Sequence, residues 1–424
     1  MARVSKELKE VIEMFDEYEK IDENELEELE LDSEFIYDLK ESAVFITEQR
    51  EIGKVYHTVE SILLTLIFAL LANCNTFVQI HLFMKKHYEW LEKHIKYENG
   101  LPSLSTIKRV VSFINPKELE NWCNEALTSF IKNNKPLYED KELKIEDIKS
   151  MDGKTANSSN RINSKNGVVP KMNAMSIVSI KNDYCEATEF IEDKTNEIPT
   201  GPKLLKRVNI TDCIITFDAM STQTKTIDYI VSKHGYYVAP VKGNQGTLEE
   251  NIIEYFNDKE LYEKAKSKSY IEIKEKAHGN FEKREYIFTN DIAWLYNKKD
   301  WPGLVSIGLA KRTYINNKGE NVTDVRYYIS NLDSSKIELI SKVIRNEWAI
   351  ENKLHYYLDT VFGEDDNTSF VENTQKNLNI LRKFCMKILK IFKEKSKLSM
   401  NSIRFNISMD FENEIENIIT TLYE

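Results

Sequence analysis

Two aspartates end runs that read as strands, one alternately and one almost wholly apolar. Asp152 follows Ile148-Lys149-Ser150-Met151, and Asp218 follows Ile214-Ile215-Thr216-Phe217. Both runs read as strands, and an aspartate that ends a buried strand carries its carboxylate to the strand's carboxyl end, where open α/β sheets place their ligands. If the two strands are neighbours, the carboxylates converge. Close carboxylates repel unless a cation or a proton lies between them, and oxygen donors select hard ions, Mg²⁺ or Mn²⁺. A lone aspartate in such a place is more often a turn or helix-cap residue, by about three to one. The metal reading therefore needs a third carboxylate.

The stretch Arg345–His355 supplies one. Glu347, Glu351 and His355 recur every four residues and share one face of a helix. Leu339, Val343, Ile350, Leu354 and Leu358 line its core face. The competing reading is a solvated charged face with intrahelical pairs. Gly153-Lys154-Thr155 imitates the end of a phosphate-binding loop, but that motif needs a glycine five residues before Gly153, where Ile148 stands. The sequence holds no HExxH, GxGxxG or GxSxG motif either.

The elements that must position these residues fall into blocks. The 424 residues suggest two or three domains, and 41% hydrophobic with 30% charged residues fits a folded protein rather than a disordered one. The net charge of -11 is local: residues 1–51 hold 18 acidic and 6 basic residues, which leaves 52 basic and 51 acidic in the rest. An acidic total thus leaves room for basic surface and a nucleic-acid partner. Five scattered cysteines without CxxC spacing predict a reducing, cytoplasmic setting with no disulfide framework and no cysteine zinc site. The acidic N-terminus without an apolar stretch predicts no secretory leader. Ile62–Ala72 is the most apolar run, too short to span a bilayer, and reads as a buried helix, with no membrane partner.

Along the chain the texture predicts an acidic helical arm over 1–45 and a helical domain over 46–143. A first part of the core follows over 144–262, read as β-β-β-α-β-α-β between 145 and 245. The hairpin Met172–Ile180 and Tyr184–Ile191 turns at Lys181-Asn182-Asp183. A strand-rich stretch covers 263–334, and helices return over 335–424, including an amphipathic one near Asn377–Lys395.

Taken in order, the motifs resemble the ISAs-type, H-repeat-associated insertion-sequence transposases, a family of DDE enzymes. The matching blocks are Met151-Asp152-Gly153-Lys154-Thr155, Lys194–Pro199, Thr216–Met220 with Gln223, and Val241-Lys242-Gly243-Asn244-Gln245. His278-Gly279 ahead of Glu282 and Arg284, Trp348–Asn352 with Leu354-His355 and Leu358-Asp359, then Phe362, Glu364 and Asp365 continue the series. Pro102-Ser103 with Thr106-Ile107 and Arg109-Val110 resembles the domain that precedes the core in this family. The sequence departs from the family pattern where Asn157 and Ser158 replace an Arg-Gly pair, where Glu347 replaces a histidine, and where Glu48-Gln49-Arg50 stands for Asp-Pro-Arg.

The resemblance implies a ribonuclease H-like α/β core with a mixed sheet, a β-rich insertion over 263–334 and an all-helical domain in front. It implies a DNA transposase whose catalytic triad is Asp152, Asp218 and Glu351, which would hold two Mg²⁺ (or Mn²⁺) ions. Phosphodiester hydrolysis at element ends and strand transfer would follow. The partners implied are double-stranded DNA, as terminal inverted repeats and target, and a second copy of the chain once DNA is bound. The setting implied is cytoplasmic and nucleoid-associated. Lys154, Lys242, Asn244, Gln245 and Arg345 would meet DNA near the metals. The lysine stripe Lys383 and Lys387, and Lys108-Arg109 in the helical domain, would meet phosphates farther away. A non-catalytic DNA-binding descendant and a metal-dependent nuclease without strand transfer remain the alternative readings.

Overall fold

The computed structural model describes residues 35–43, 46–128, 130, 135–156, 161–163, 167–169, 171–191, 197–277, 280–315, 319–347, 349–366 and 371–423. Most of the acidic arm expected over 1–45 lies outside the described residues, as do Asn157, Ser158, residues 192–196, His278, Gly279 and Trp348. Contacts divide the chain into two units: one of Met1–Ile131, Val361–Gly363 and Val371–Glu424, the other of Lys132–Thr360 and Glu364–Phe370.

The second unit is built on a nine-stranded sheet. Its strands in chain order are β1 (Asp147–Thr155), β2 (Asn173–Ser179), β3 (Tyr184–Ile191), β4 (Cys213–Phe217) and β5 (Tyr236–Val241). β6 (Tyr270–Ala277), β7 (Asn280–Thr289), β8 (Ser306–Ile315) and β9 (Asn321–Ser330) follow. Across the sheet they run β6-β7-β8-β9-β5-β4-β1-β2-β3. β4 is parallel to both β1 and β5, and β2 is antiparallel to β1. The order β3-β2-β1-β4-β5, with β2 reversed, is the arrangement of a ribonuclease H-like core, as the family resemblance implies. Helices Glu197–Leu205 and Thr224–Ser232 make the connections before and after β4.

Alternation along the central strands sorts the side chains. Ile215 and Phe217 of β4 join one apolar cluster with Met151, Tyr237, Ala239, Ile227 and Leu248. Ile214 and Ile148 join another on the opposite face, with Val238, Leu339, Ile340 and Val343. A strand covered on both faces reads as a near-continuous apolar run, and Cys213–Phe217, apolar but for Thr216, is buried throughout. Each Ile or Leu fully buried in this way contributes about 1.5–3 kcal/mol. Helix Ile337–Asn346 thus lies on the face of the even-numbered residues of β1 and β4, because Leu339, Ile340 and Val343 meet Ile148 and Ile214 there.

The strand-rich stretch read as an insertion does not stand apart. β9 pairs antiparallel with β5, from Tyr327 opposite Val241 to Ser330 opposite Val238. β6 to β9 then extend the core sheet as a meander. Period-two alternation reports a strand but not its neighbour, so the sequence alone does not show this join.

The other unit is helical. Helix Val59–Leu71 is buried on nearly every side, starts at Thr58, whose hydroxyl accepts the Ser61 N–H, and is short. Among the described residues no helix is long and apolar enough to cross a membrane. The helices Glu372–Ser396, Met400–Met409 and Phe411–Tyr423 group with these N-terminal helices rather than with the sheet they follow in sequence. Buried polar anchors explain the grouping: Asn377 donates to the carbonyls of Val111 and Ile114 at 2.8 and 2.9 Å. Arg404 donates to the Leu70 carbonyl at 2.6 Å and to Asn75 Oδ1 at 2.8 Å.

Candidate active site

Register places the two aspartates side by side. The parallel ladder of β1 and β4 runs from Asp147 opposite Cys213 to Met151 opposite Phe217. The next residues on the two strands are Asp152 and Asp218. Adjacent strands lie about 4.8 Å apart, so both side chains leave the sheet at the same level. By alternation they share the face of Ile148, Ser150 and Ile214, which is the face covered by helix Ile337–Asn346. That helix ends at Asn346 with Glu347 as its cap; residues 349–350 are helical again and lead into a π-helical turn, Glu351–His355, and then Tyr356–Thr360. Such turns are rare and occur mostly at functional sites.

The result is an open cavity of about 610 Å³. Asp152, Asp218 and Glu351 all line it, together with Glu347 and Glu249. Lys242 and Arg326 are the basic side chains in the lining, and Asn244, Met220 and Tyr327 complete much of the wall. Asp152 Oδ1 accepts the Gly153 N–H at 2.8 Å, and its Oδ2 lies 3.7 Å from His355 Nδ1. Asp218 Oδ1 accepts the Ser221 N–H at 2.9 Å. These local bonds aim each aspartate without consuming all of its oxygen lone pairs.

Glu347 is the most desolvated acid of the group. Tyr328 Oη donates to its Oε2 at 2.9 Å, and Arg326 Nη1 to its Oε1 at 3.3 Å. Burial pushes its carboxyl above the ordinary carboxylate range; Tyr328, Arg326 and Lys242 pull it back, and Asp218 adds to the rise. Burial likewise pushes the Tyr328 hydroxyl well up.

Five carboxylates against two basic side chains make an oxygen-rich, acid-surplus donor set, which fits a hard divalent cation. Among the described residues no group of three His, Cys, Asp or Glu side chains is gathered tightly enough to hold an ion as it stands. Glu351 is exposed and sits on the π-helical turn, apart from the two strand-borne aspartates.

The residues expected to meet DNA divide. Lys242 and Asn244 line the cavity, and Asn244 also donates to the Ala219 carbonyl at 2.7 Å. Gln245 is buried, donating to the carbonyls of Ala219 and Thr222 at 3.1 and 2.7 Å, so it braces the loop behind Asp218. Arg345 is paired with Glu275 across to β6 and is absent from the cavity lining. Lys154 holds Asp359. In the helical unit Lys108 and Arg109 are exposed, with Lys108 Nζ 5.9 Å from the Phe77 ring. Lys383 and Lys387 are half-buried and Lys390 is buried, so that stripe is no open basic face.

Arg326 and Glu249 join the site without any forewarning in the sequence. Arg326 sits on a strand read as an insertion, and Glu249 occupies the first turn of helix Gly246–Asn257, where an acidic residue is common for reasons of helix dipole alone.

Comparison with known proteins agrees with this architecture. Residues 146–386 match the family model described as "Transposase DDE domain", and residues 44–125 match "DDE_Tnp_1-associated". YbfL and the H repeat-associated YhhI, both of Escherichia coli (strain K12), are each 33% identical over 372 residues, covering 84% of this chain and 92% of theirs. The H repeat-associated YbfD of the same strain is 33% identical over 256 residues, covering 59% of this chain and 92% of its own. Among solved structures, a piggyBac transposase synaptic complex with hairpin DNA aligns at 11% identity with a TM-score of 0.40, covering 93% of this chain and 79% of that chain. That overlap is too loose to carry an argument, and the fold assignment rests on the strand order itself.

Proposed function

This chain belongs to the transposase family with a DDE domain, and from that premise we propose that it cleaves and joins DNA phosphodiesters at the ends of an insertion sequence, with Asp152, Asp218 and Glu351 as its catalytic carboxylates. The observation that carries the proposal is the shared register of Asp152 and Asp218 on adjacent parallel strands, beneath the helix that bears Glu351.

The three carboxylates would hold two divalent cations, Mg²⁺ or Mn²⁺. Bound cations supply neutralising charge at the phosphodiester and make a water easier to deprotonate. The chain's own contribution is placement. The sheet fixes Asp152 and Asp218 relative to each other, and the helix presents Glu351 from above. Lys242 and Arg326 balance part of the acid and offer cationic donors to a DNA phosphate at the cavity wall. In the first reaction water adds to phosphorus and the 3′-oxygen leaves with a proton, giving a free 3′-hydroxyl. In the second that hydroxyl attacks a target phosphodiester, and the phosphorus–oxygen bond to the target's 3′-oxygen breaks as the new one forms. Double-stranded DNA, as element ends and target, is the substrate class, and engaging two ends together calls for two copies of the chain.

The test uses purified full-length chain, a linear DNA carrying the inverted repeats that flank its gene, a target plasmid and Mg²⁺ or Mn²⁺. Cleavage at the repeat ends with joined plasmid products is the expected result. Cleavage without joining would mark a nuclease, and repeat binding without cleavage a DNA-binding descendant; either outcome refutes the proposal.

A further inference from the structure

Alternate residues of β1 meet the helix of Glu351 in sequence. Ser150 Oγ donates to the Glu347 carbonyl at 3.1 Å. Asp152 Oδ2 lies 3.7 Å from His355 Nδ1. Lys154 Nζ donates to both oxygens of Asp359, at 2.6 and 2.8 Å. Residues 150, 152 and 154 share one face of a strand; the partners they meet lie at the cap of helix Ile337–Asn346 (Glu347), at the end of the π-helical turn (His355) and in the helix that follows it (Asp359). The contacts therefore fasten the strand to the segment from Glu347 to Asp359, with Glu351 in the span between.

The last contact is of a different kind from the others. The Lys154 side chain keeps only 11% of its surface in solvent, and Glu364 Oε2 stands 4.0 Å from the same ammonium. A lysine that reads DNA phosphates works as a solvated, mobile point charge. This one is enclosed and engaged on two oxygens, and reaching a phosphate would cost it the ion pair with Asp359.

We infer that Lys154 is a positioning residue: through its ion pair with Asp359 it sets the end of the helix that presents Glu351, and it does not contact DNA. The inference deepens the proposed function and rests on that reading. Between the two fastened ends lies the π-helical turn Glu351–His355, so a slackened Asp359 end loosens the segment that presents Glu351.

The test is a double-mutant cycle on the full chain, with Lys154→Met, Asp359→Asn and the combination. Mn²⁺ affinity is measured by calorimetric titration, cleavage is measured at saturating repeat-end DNA, and affinity for that DNA is measured without metal. Each single change is expected to weaken Mn²⁺ binding and slow cleavage by about 10- to 100-fold, the scale that misplacing a reacting group by about 1 Å can reach. The double variant should be no worse than either single one, and DNA affinity should stay unchanged in all three. Lys154→Arg, which keeps the pair, should restore most of the Mn²⁺ affinity. If Lys154→Met does not fold, Asp359→Asn against Lys154→Arg carries the comparison. The inference is overturned if Lys154→Met weakens DNA binding while Asp359→Asn does not, or if the two losses multiply. An inert wild type would overturn the proposed function and this inference together; an active wild type with uncoupled variants overturns the inference alone.

Discussion

Glu347 accepts a hydrogen bond from Tyr328 at 2.9 Å, on the wall of the cavity that Glu351 also lines, one helical turn away. Tyr328 lies on β9, a strand that reaches the core sheet only through its pairing with β5. The four-stranded meander thus supplies a buried anchor to the helix that carries the third carboxylate.

That anchor has a pH signature. Burial holds the Glu347 carboxyl above its ordinary range, so the folded chain binds this proton more tightly than the unfolded one. Its contribution to stability is complete below the unfolded value and is lost as pH rises through the folded value. Glu347→Gln removes the titration and keeps an acceptor for Tyr328. In metal-free urea unfolding from about pH 4 to pH 7, the variant should gain on the wild type steadily as pH rises. A difference that stays flat with pH, or runs the other way, would refute this placement of the charge.

The meander has one tight spot. Gly308 on β8 faces Phe288 on β7, and a Cβ at Gly308 would meet the ring at 2.4 Å. The aromatic ring fills the space that the glycine leaves. Gly308→Ala should cost about 1–3 kcal/mol by overpacking, seen as a lower urea midpoint, and Gly308→Ala with Phe288→Leu should recover part of that loss. A neutral Gly308→Ala would show the ring to be mobile.

In the helical unit the weight falls on Arg404. Its guanidinium is buried and donates to the Leu70 and Val361 carbonyls and to Asn75, over the ring of Phe362 at 4.3 Å. Burial lowers its pKa to about 10, which still leaves the group charged at neutral pH. Arg404→Met fills similar volume but strands those acceptors, and at roughly 1–3 kcal/mol for each unsatisfied buried group the loss should be several kcal/mol. Thermal unfolding of the variant provides the check, and a shift within error of zero would contradict the assigned bonds.

Much of this was legible in the sequence because it follows from local rules. Ile214, Ile215 and Phe217 put apolar side chains on both faces of one run, so it had to be a strand covered on both faces, and an aspartate at its end had to emerge at the carboxyl edge. Glu347, Glu351 and His355 suggested a single helical face by their spacing; in the structure Glu347 caps helix Ile337–Asn346 and Glu351–His355 is a π-helical turn, which spacing alone does not reveal. The fate of the charged residues was not legible. Lys154, Gln245 and Arg345 read as DNA contacts because polar side chains beside a predicted site suggest a ligand; the structure pairs Lys154 and Arg345 with Asp359 and Glu275, and the Gln245 amide donates to two carbonyls. Those partners are distant in sequence, and no periodicity encodes a cross-sheet ion pair. The pairing of β9 with β5 was hidden for the same reason, and Arg326 with it.

The most direct test is calorimetric titration of the metal-free chain with Mn²⁺, for the wild type and for Asp152→Asn, Asp218→Asn and Glu351→Gln. If the three carboxylates make one site, the wild type binds in the millimolar range or tighter, and every one of the three substitutions weakens binding by at least roughly tenfold. A wild type that takes up no Mn²⁺, or any one of the three variants that binds as the wild type does, would contradict it.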